Sequence, residues 1–224
     1  MSFFLDTADI KVIESFLSTF PLSGVTTNPS IIKRSGVTDF FGHMRQIKAL
    51  IGPDASLHVQ VVSDQYPTML EEAHRIIQEL GADTYIKVPV TVPGLKLIKE
   101  LKAEGIKVTA TAIYSEFQAY LAMEAGVDYL APYVNRMENL GLDALTAIRH
   151  MRDYGQSHGL DSQILGASYK SLQQVTASLV AGAHAVTVDP ALLELGLSSS
   201  PILGAVADFA QDWSSHFLQN PFDS

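Results

Sequence analysis

The chain contains no cysteine, which excludes disulfides, thiolate metal sites and cysteine nucleophiles together. That composition suits a reducing compartment, and a cytoplasmic location is expected. Charge is scarce as well, at 17% of 224 residues, and basic charge is scarcest: 15 Lys and Arg stand against 24 Asp and Glu, a formal net charge of −9. A nucleic-acid binder needs a basic face, so no nucleic-acid partner is expected. No uninterrupted apolar stretch approaches the roughly 20 residues of a membrane span. The start, Met1–Asp6, lacks the basic residues and long apolar run of a signal peptide. No membrane partner is therefore expected. The 7 histidines show no HExxH or comparable ligand spacing, so no metal is expected. Gly155, Gly159 and Gly166 form neither a GxGxxG nor a Walker loop.

What is present is apolar material, 47% of the chain, enough for a large core. It is arranged as short apolar runs, each followed by an amphipathic stretch. The runs are 3–7, 24–28, 57–62, 84–90, 107–113, 129–134, 163–168 and 185–189, rich in the Val, Ile, Thr and Tyr that favour strands. Between them, sets such as Ile10, Val12, Ile13, Phe16 and Leu17 recur at helical spacing, starting near Thr7 or Asp9 as caps. Gly105, Gly126, Gly159 and Gly182 sit where helices should end. Eight strand–helix units in one row predict a closed (β/α)8 TIM barrel, here a compact one, since such barrels typically need about 250 residues. The whole of 1–224 reads as one barrel domain, with an additional C-terminal helix over 200–218. Its apolar stripe around Phe209, Trp213 and Phe217 fits either packing within the subunit or contact with a neighbour.

Alternation along strands assigns an inward face. Lys87 lies between Ile86 and Val88 and shares its parity with Tyr85 and Pro89, so it points into the barrel. Two readings stay open for it. One is an ion pair with Asp6, the acid expected inside near the start of the chain; the other is a desolvated amine with a lowered pKa, able to attack a carbonyl. Asp6 would pair with Lys87, cap the next helix, or orient the amine and handle protons. Thr26 and Asn28 either form a turn or hydrogen-bond a polyhydroxylated ligand. Gln60, Thr111 and Tyr133 are satisfied core groups or, together, a polar pocket containing a phenol. Arg136, Ser168 and Lys170 are surface groups or a phosphate clamp. His58 also faces inward and reads as a core residue.

Six ordered motifs carry a resemblance: LDTAD (Leu5–Asp9), GVTTNPSII (Gly24–Ile32), IKVPVT (Ile86–Thr91), TATAIY (Thr109–Tyr114), APYVNR (Ala131–Arg136) and GASYK (Gly166–Lys170). They resemble the transaldolase family, and the short chain resembles its small bacterial branch of fructose-6-phosphate aldolases and small transaldolases. The resemblance implies a (β/α)8 barrel, a Schiff-base lysine at Lys87, and an aspartate at Asp6. It also implies substrate contacts at Thr26 and Asn28, a strand-five threonine at Thr111, and phosphate binding by Arg136, Ser168 and Lys170. Transaldolases carry Glu on strand three and Phe on strand six; here Gln60 and Tyr133 resemble the aldolases. Thr109 departs from the larger aliphatic residue of that branch. The implied activity is class I aldol cleavage of fructose 6-phosphate without metal or cofactor, with Tyr133, Gln60 and Thr111 sharing the proton work. Transfer of a dihydroxyacetone unit between sugar phosphates is the alternative, and a non-catalytic sugar-phosphate-binding barrel is the alternative of another class. The small members resemble ring-shaped homo-oligomers, pentamers or decamers.

Overall fold

Each predicted apolar run forms a strand, and each amphipathic stretch a helix. In the computed structural model, which describes residues 2–217 and 221–222, the order is β1 (Ser2–Asp6), α1 (Ile10–Thr19), β2 (Leu22–Thr26), α2 (Pro29–Arg34), α3 (Phe40–Ile51), β3 (Ser56–Gln60), α4 (Tyr66–Leu80), β4 (Tyr85–Pro89), α5 (Val92–Ala103), β5 (Val108–Ile113) and α6 (Glu116–Glu124). It continues with β6 (Tyr129–Pro132), α7 (Val134–Asn139), α8 (Ala144–His158), β7 (Gln163–Gly166), α9 (Leu172–Ala181), β8 (Ala185–Val188), α10 (Pro190–Leu197) and α11 (Ser200–His216). All strands run parallel in chain order, and β8 pairs back onto β1 to close an eight-stranded barrel. The fold is the expected (β/α)8 barrel with an additional C-terminal helix.

The pattern of burial follows from side-chain alternation. Ile86, Val88 and Val59 are buried on the barrel wall, and the helices bring Ile13, Met44, Ile47, Met69, Leu97, Ile98 and Leu101 into the same core. Each such aliphatic side chain contributes about 1.5–3 kcal/mol by leaving water. Helix starts are fixed by side-chain caps: Asp9 accepts from the backbone of Lys11 and Val12, and Asp143 and Ser171 cap α8 and α9 in the same manner. In β2, a Cβ on Gly24 would collide with the Ser56 carbonyl of the neighbouring strand, so only glycine allows that close pairing.

Several strands stop before their predicted ends. β2 ends at Thr26 rather than Asn28 because Asn28 caps α2, its side chain accepting from Ile31 N at 3.0 Å. β6 ends at Pro132 because Tyr133 precedes the first turn of α7. Polar residues at strand ends thus belong to the turns that form the C-terminal mouth.

The inward residues at the other end pack as rings. His58 stacks on Tyr85 with centroids 4.4 Å apart and meets Phe4 and Tyr129 edge-on at 5.3 Å each. Its Nδ1 lies 2.8 Å from Thr109 Oγ1 and its Nε2 2.9 Å from Ser56 Oγ. His58 is fully buried, as expected of a core residue. Burial, aided by the positive charges of Lys87 and Lys107, holds its imidazole well below the usual histidine pKa and therefore neutral.

The chain divides into two units, 1–190 and 191–224. In the second, Leu203, Val206, Phe209 and Trp213 on α11 are exposed, and Trp213 lies 4.5 Å from the Phe217 ring and 5.4 Å from that of Phe222. The expected end of this helix at 218 lies outside the described residues. By length and composition alone, Pro190–His216 contains a stretch apolar enough to cross a membrane, with mean hydropathy 1.3 over an 18-residue window. Glu194, Ser198, Ser199, Ser200 and Asp208 interrupt it, so no single apolar run stands out in the sequence, and α10 ends at Leu197 before α11 starts at Ser200.

Candidate active site

Lys87 sits in the middle of β4, with only 5% of its surface exposed. Its ammonium donates to the Thr27 carbonyl at 2.6 Å. Among the described residues no direct ion pair joins it to Asp6, so the simple salt-bridge reading of this lysine fails. Burial pushes its pKa down, and the more distant Asp6 carboxylate only partly opposes that. Desolvation without a close counter-ion favours the neutral amine, the form in which a lysine can act as a nucleophile.

Asp6 ends β1 opposite Thr26 of β2. Thr26 Oγ1 donates to Asp6 Oδ1 at 2.6 Å and lies 2.6 Å from Thr187 Oγ1. Burial raises the Asp6 pKa; Lys87 and the Thr26 hydroxyl pull it back, Asp189 raises it further, and Arg34 lowers it. Arg34 and Asp189 pair with each other at 3.4 Å. Asn28 spends its carbonyl oxygen on the α2 cap, and its amide donors have no protein partner among the described residues.

Strand register brings the remaining inward groups beside the lysine. Gln60 on β3 and Thr109 on β5 are the cross-strand partners of Lys87. Gln60 Oε1 is buried and accepts no hydrogen bond from the protein, so it is an acceptor available to a substrate hydroxyl. Thr109 is fully buried and its hydroxyl is engaged by His58, so it belongs to the barrel floor rather than to the mouth. Thr111 Oγ1 meets Tyr133 Oη at 3.0 Å. Burial raises the Tyr133 pKa, with the Thr111 hydrogen bond opposing it, so the phenol keeps its proton at neutral pH.

The cations lie further out. Arg136 on α7 donates from Nη1 to Tyr114 Oη at 2.9 Å, and its guanidinium lies 4.9 Å from the Tyr133 ring centroid. Ser168 follows β7 with φ +62°, and its carbonyl accepts from Asn135 N of α7 at 3.1 Å. A non-glycine residue in this left-handed region costs on the order of 1–3 kcal/mol, a strain typical of functional turns. Lys170 is exposed; its backbone donates to Gln174 Oε1 at 2.7 Å, and Gln174 Nε2 donates to Glu138 and Asn135 of α7. The structure thus links the β7 and β6 turns through Gln174, without direct contact between Lys170 and Arg136.

Thr27, Thr187 and Tyr114 were not among the sequence candidates. Thr27 acts through its backbone, which no side-chain pattern shows. Thr187 lies in β8, where a hydroxyl among aliphatics was the available signal. A separate cavity of about 510 Å³, lined by Tyr85, Asp128, Tyr129, Ser162 and Gln163, opens where β4, β6 and β7 begin, at the opposite end from the Lys87 mouth. No group of three or more His, Asp or Glu side chains among the described residues is arranged to hold a metal.

A buried amine, a carboxylate, a protonated phenol with hydroxyl and amide neighbours, and an outer guanidinium form a set suited to carbonyl chemistry on a polar anionic substrate. Comparison with known proteins agrees. Residues 3–216 match the Transaldolase/Fructose-6-phosphate aldolase family. The chain is 46% identical over 213 residues, 95% of its own length and 96% of the relative's, to a probable fructose-6-phosphate aldolase of Streptococcus pneumoniae (strain ATCC 700669 / Spain 23F-1). An eight-stranded barrel with a buried lysine on its fourth strand, matched along nearly its whole length, places this chain in the transaldolase/fructose-6-phosphate aldolase family.

Proposed function

We propose that the protein is a class I, Schiff-base aldolase that reversibly cleaves fructose 6-phosphate to dihydroxyacetone and glyceraldehyde 3-phosphate. The observation that carries this reading is Lys87, buried on β4 and bonded to a backbone carbonyl rather than to a carboxylate. Its neutral amine adds to the C2 carbonyl, and loss of water gives an iminium that accepts electrons. A base removes the C4 hydroxyl proton, the C3–C4 bond breaks, and glyceraldehyde 3-phosphate leaves. The enamine left on Lys87 takes a proton at C3, and water releases dihydroxyacetone.

Each neighbour has a task that its chemistry supports. Tyr133 keeps its proton at rest and shares a hydrogen bond with Thr111, while a water held between Tyr133 and the free Gln60 oxygen relays the C4 hydroxyl proton to C3 as the C3–C4 bond breaks, so that no proton is left over. Asp6, steadied by Thr26, orients the amine and shuttles protons during dehydration; Asn28 offers its amide to substrate hydroxyls. Arg136, Ser168 and Lys170 receive the phosphate. The net charge of −9 repels an anionic substrate overall, so this local cation cluster supplies the attraction.

Assay with fructose 6-phosphate alone, then with erythrose 4-phosphate added, tests the reading. Glyceraldehyde 3-phosphate released without an acceptor is the expected result; strict dependence on the acceptor identifies a transaldolase instead. Failure of borohydride to trap any dihydroxyacetone adduct identifies a non-catalytic binding barrel.

The same proposal places the protein in the cytoplasm, consistent with its lack of cysteine. It assembles as a pentamer or decamer of identical chains, with the exposed apolar stripe of α11 seated on a second copy.

A further inference from the structure

β5 carries a defect that aims a side chain. Its pairing with β6 advances three residues, Ala110 to Ile113, while β6 advances two, Leu130 to Pro132. The extra residue is taken up at Ala112, whose φ is +54°. Such a bulge breaks strand alternation. In a regular strand Thr111 and Tyr114, three apart, would face opposite sides. Here both reach Tyr133: Thr111 by its hydroxyl at 3.0 Å, Tyr114 by a ring contact at 5.8 Å between centroids. Gln118 of α6 holds the distortion: its Nε2 donates to the Val90 and Ala112 carbonyls at 2.9 and 3.3 Å, and its Oε1 accepts from Tyr114 N at 2.9 Å. The left-handed Ala112 costs energy that a regular strand would not require, so the bulge is a feature to be explained rather than a default.

What the bulge delivers is the contact between Tyr114 Oη and Arg136 Nη1, at 2.9 Å. Arg136 is otherwise a long side chain on the surface of α7, free to sample many rotamers. The phenol oxygen accepts from one arm of the guanidinium, whose central carbon lies over the Tyr133 ring, 4.9 Å from its centroid. The Tyr114 hydroxyl proton has no protein acceptor among the described residues, so it remains available to the same anion that Arg136 meets.

We propose that Tyr114 is a positioning and specificity-determining residue: presented by the Ala112 bulge, it fixes the Arg136 guanidinium for the phosphate of the aldehyde half of the substrate. This rests on the reading of Arg136 as a phosphate contact. Preorganising one charged hydrogen-bonding group lowers the entropy lost on binding and favours phosphorylated over neutral aldehydes.

The test compares aldol addition of dihydroxyacetone to glyceraldehyde 3-phosphate and to unphosphorylated glyceraldehyde, in the full-length protein, in Tyr114→Phe and in Arg136→Ala. Tyr114→Phe is expected to raise KM for the phosphorylated aldehyde about tenfold, the scale of one charged hydrogen bond. It should leave kcat for both aldehydes, and KM for the neutral one, within about twofold. Tyr114→His, which keeps a ring and an acceptor, should recover part of the loss. Equal losses with both aldehydes, or no change in the preference for phosphate, overturn the proposal for Tyr114 provided that Arg136→Ala abolishes that preference. If Arg136→Ala leaves the preference intact, the phosphate reading of Arg136 fails first and the role of Tyr114 fails with it.

Discussion

Lys87 Nζ donates to the Thr27 carbonyl and makes no direct pair with the Asp6 carboxylate. Burial disfavours the ammonium and the Asp6 carboxylate opposes that only in part, so the lysine pKa falls and the neutral amine becomes accessible. Asp6 is kept near enough to influence the charge and is itself occupied by Thr26.

Lys87→Met keeps the length of the side chain and removes the amine. The expected result is loss of the borohydride-trapped dihydroxyacetone adduct, with resistance to urea unchanged or increased, because a poorly compensated buried charge opposes folding. In the unaltered protein, the adduct-forming rate should rise with pH through the lowered pKa and level off below the 10.5 of a free lysine. A rate that keeps climbing to that value shows that Lys87 is not desolvated.

Tyr133→Phe deletes the hydroxyl that meets Thr111 and spares the ring beneath Arg136. Cleavage should slow by about 100- to 10,000-fold, the usual range for a lost acid–base group, while the Lys87 adduct with dihydroxyacetone still forms. Parallel loss of both activities assigns Tyr133 to substrate binding instead.

Gln60→Glu places a charge at the buried acceptor beside Lys87. The resemblance assigns Glu to this strand-three position in transaldolases, and on that reading transfer to erythrose 4-phosphate should increase relative to free cleavage. An unchanged ratio, measured by product analysis with both substrates present, removes this position from the choice of reaction.

His58 is expected to make the fold acid-sensitive. Its folded pKa is lowered, so below 6.5 the unfolded chain binds a proton that the folded chain refuses. Stability from this source is complete above 6.5 and declines as pH falls toward the folded value. His58→Phe combined with Thr109→Val removes the imidazole and one of its two hydroxyl partners. Urea midpoints at about pH 7.5 and about pH 5 should differ less in that variant than in the parent; an equal difference locates the sensitivity elsewhere.

Truncation before Pro201 removes α11 and its exposed apolar stripe. Light scattering should then report a smaller assembly than the full chain forms. An oligomer of undiminished size shows that α11 is not the contact between copies.

The barrel was legible because its signal is repetitive. Eight β-rich runs separated by helical periodicity admit few architectures, and alternation from Ile86 to Val90 was enough to turn Lys87 inward. Asp6, Thr26, Gln60 and Thr111 followed by the same parity. Where alternation is broken it misleads: the bulge at Ala112 brings Tyr114 to the Tyr133 side, and the early end of β2 makes Asn28 a helix cap.

The sequence by itself determined the strand count, the inward lysine and the absence of thiol chemistry, because these depend on residue type and local period. Only the tertiary structure decided which partner Lys87 has, that the Thr109 hydroxyl is taken by His58, and that Arg136 rests against two tyrosines. Those depend on backbone carbonyls, strand register and one left-handed residue, which bring together groups far apart in the chain and leave no trace in the local pattern.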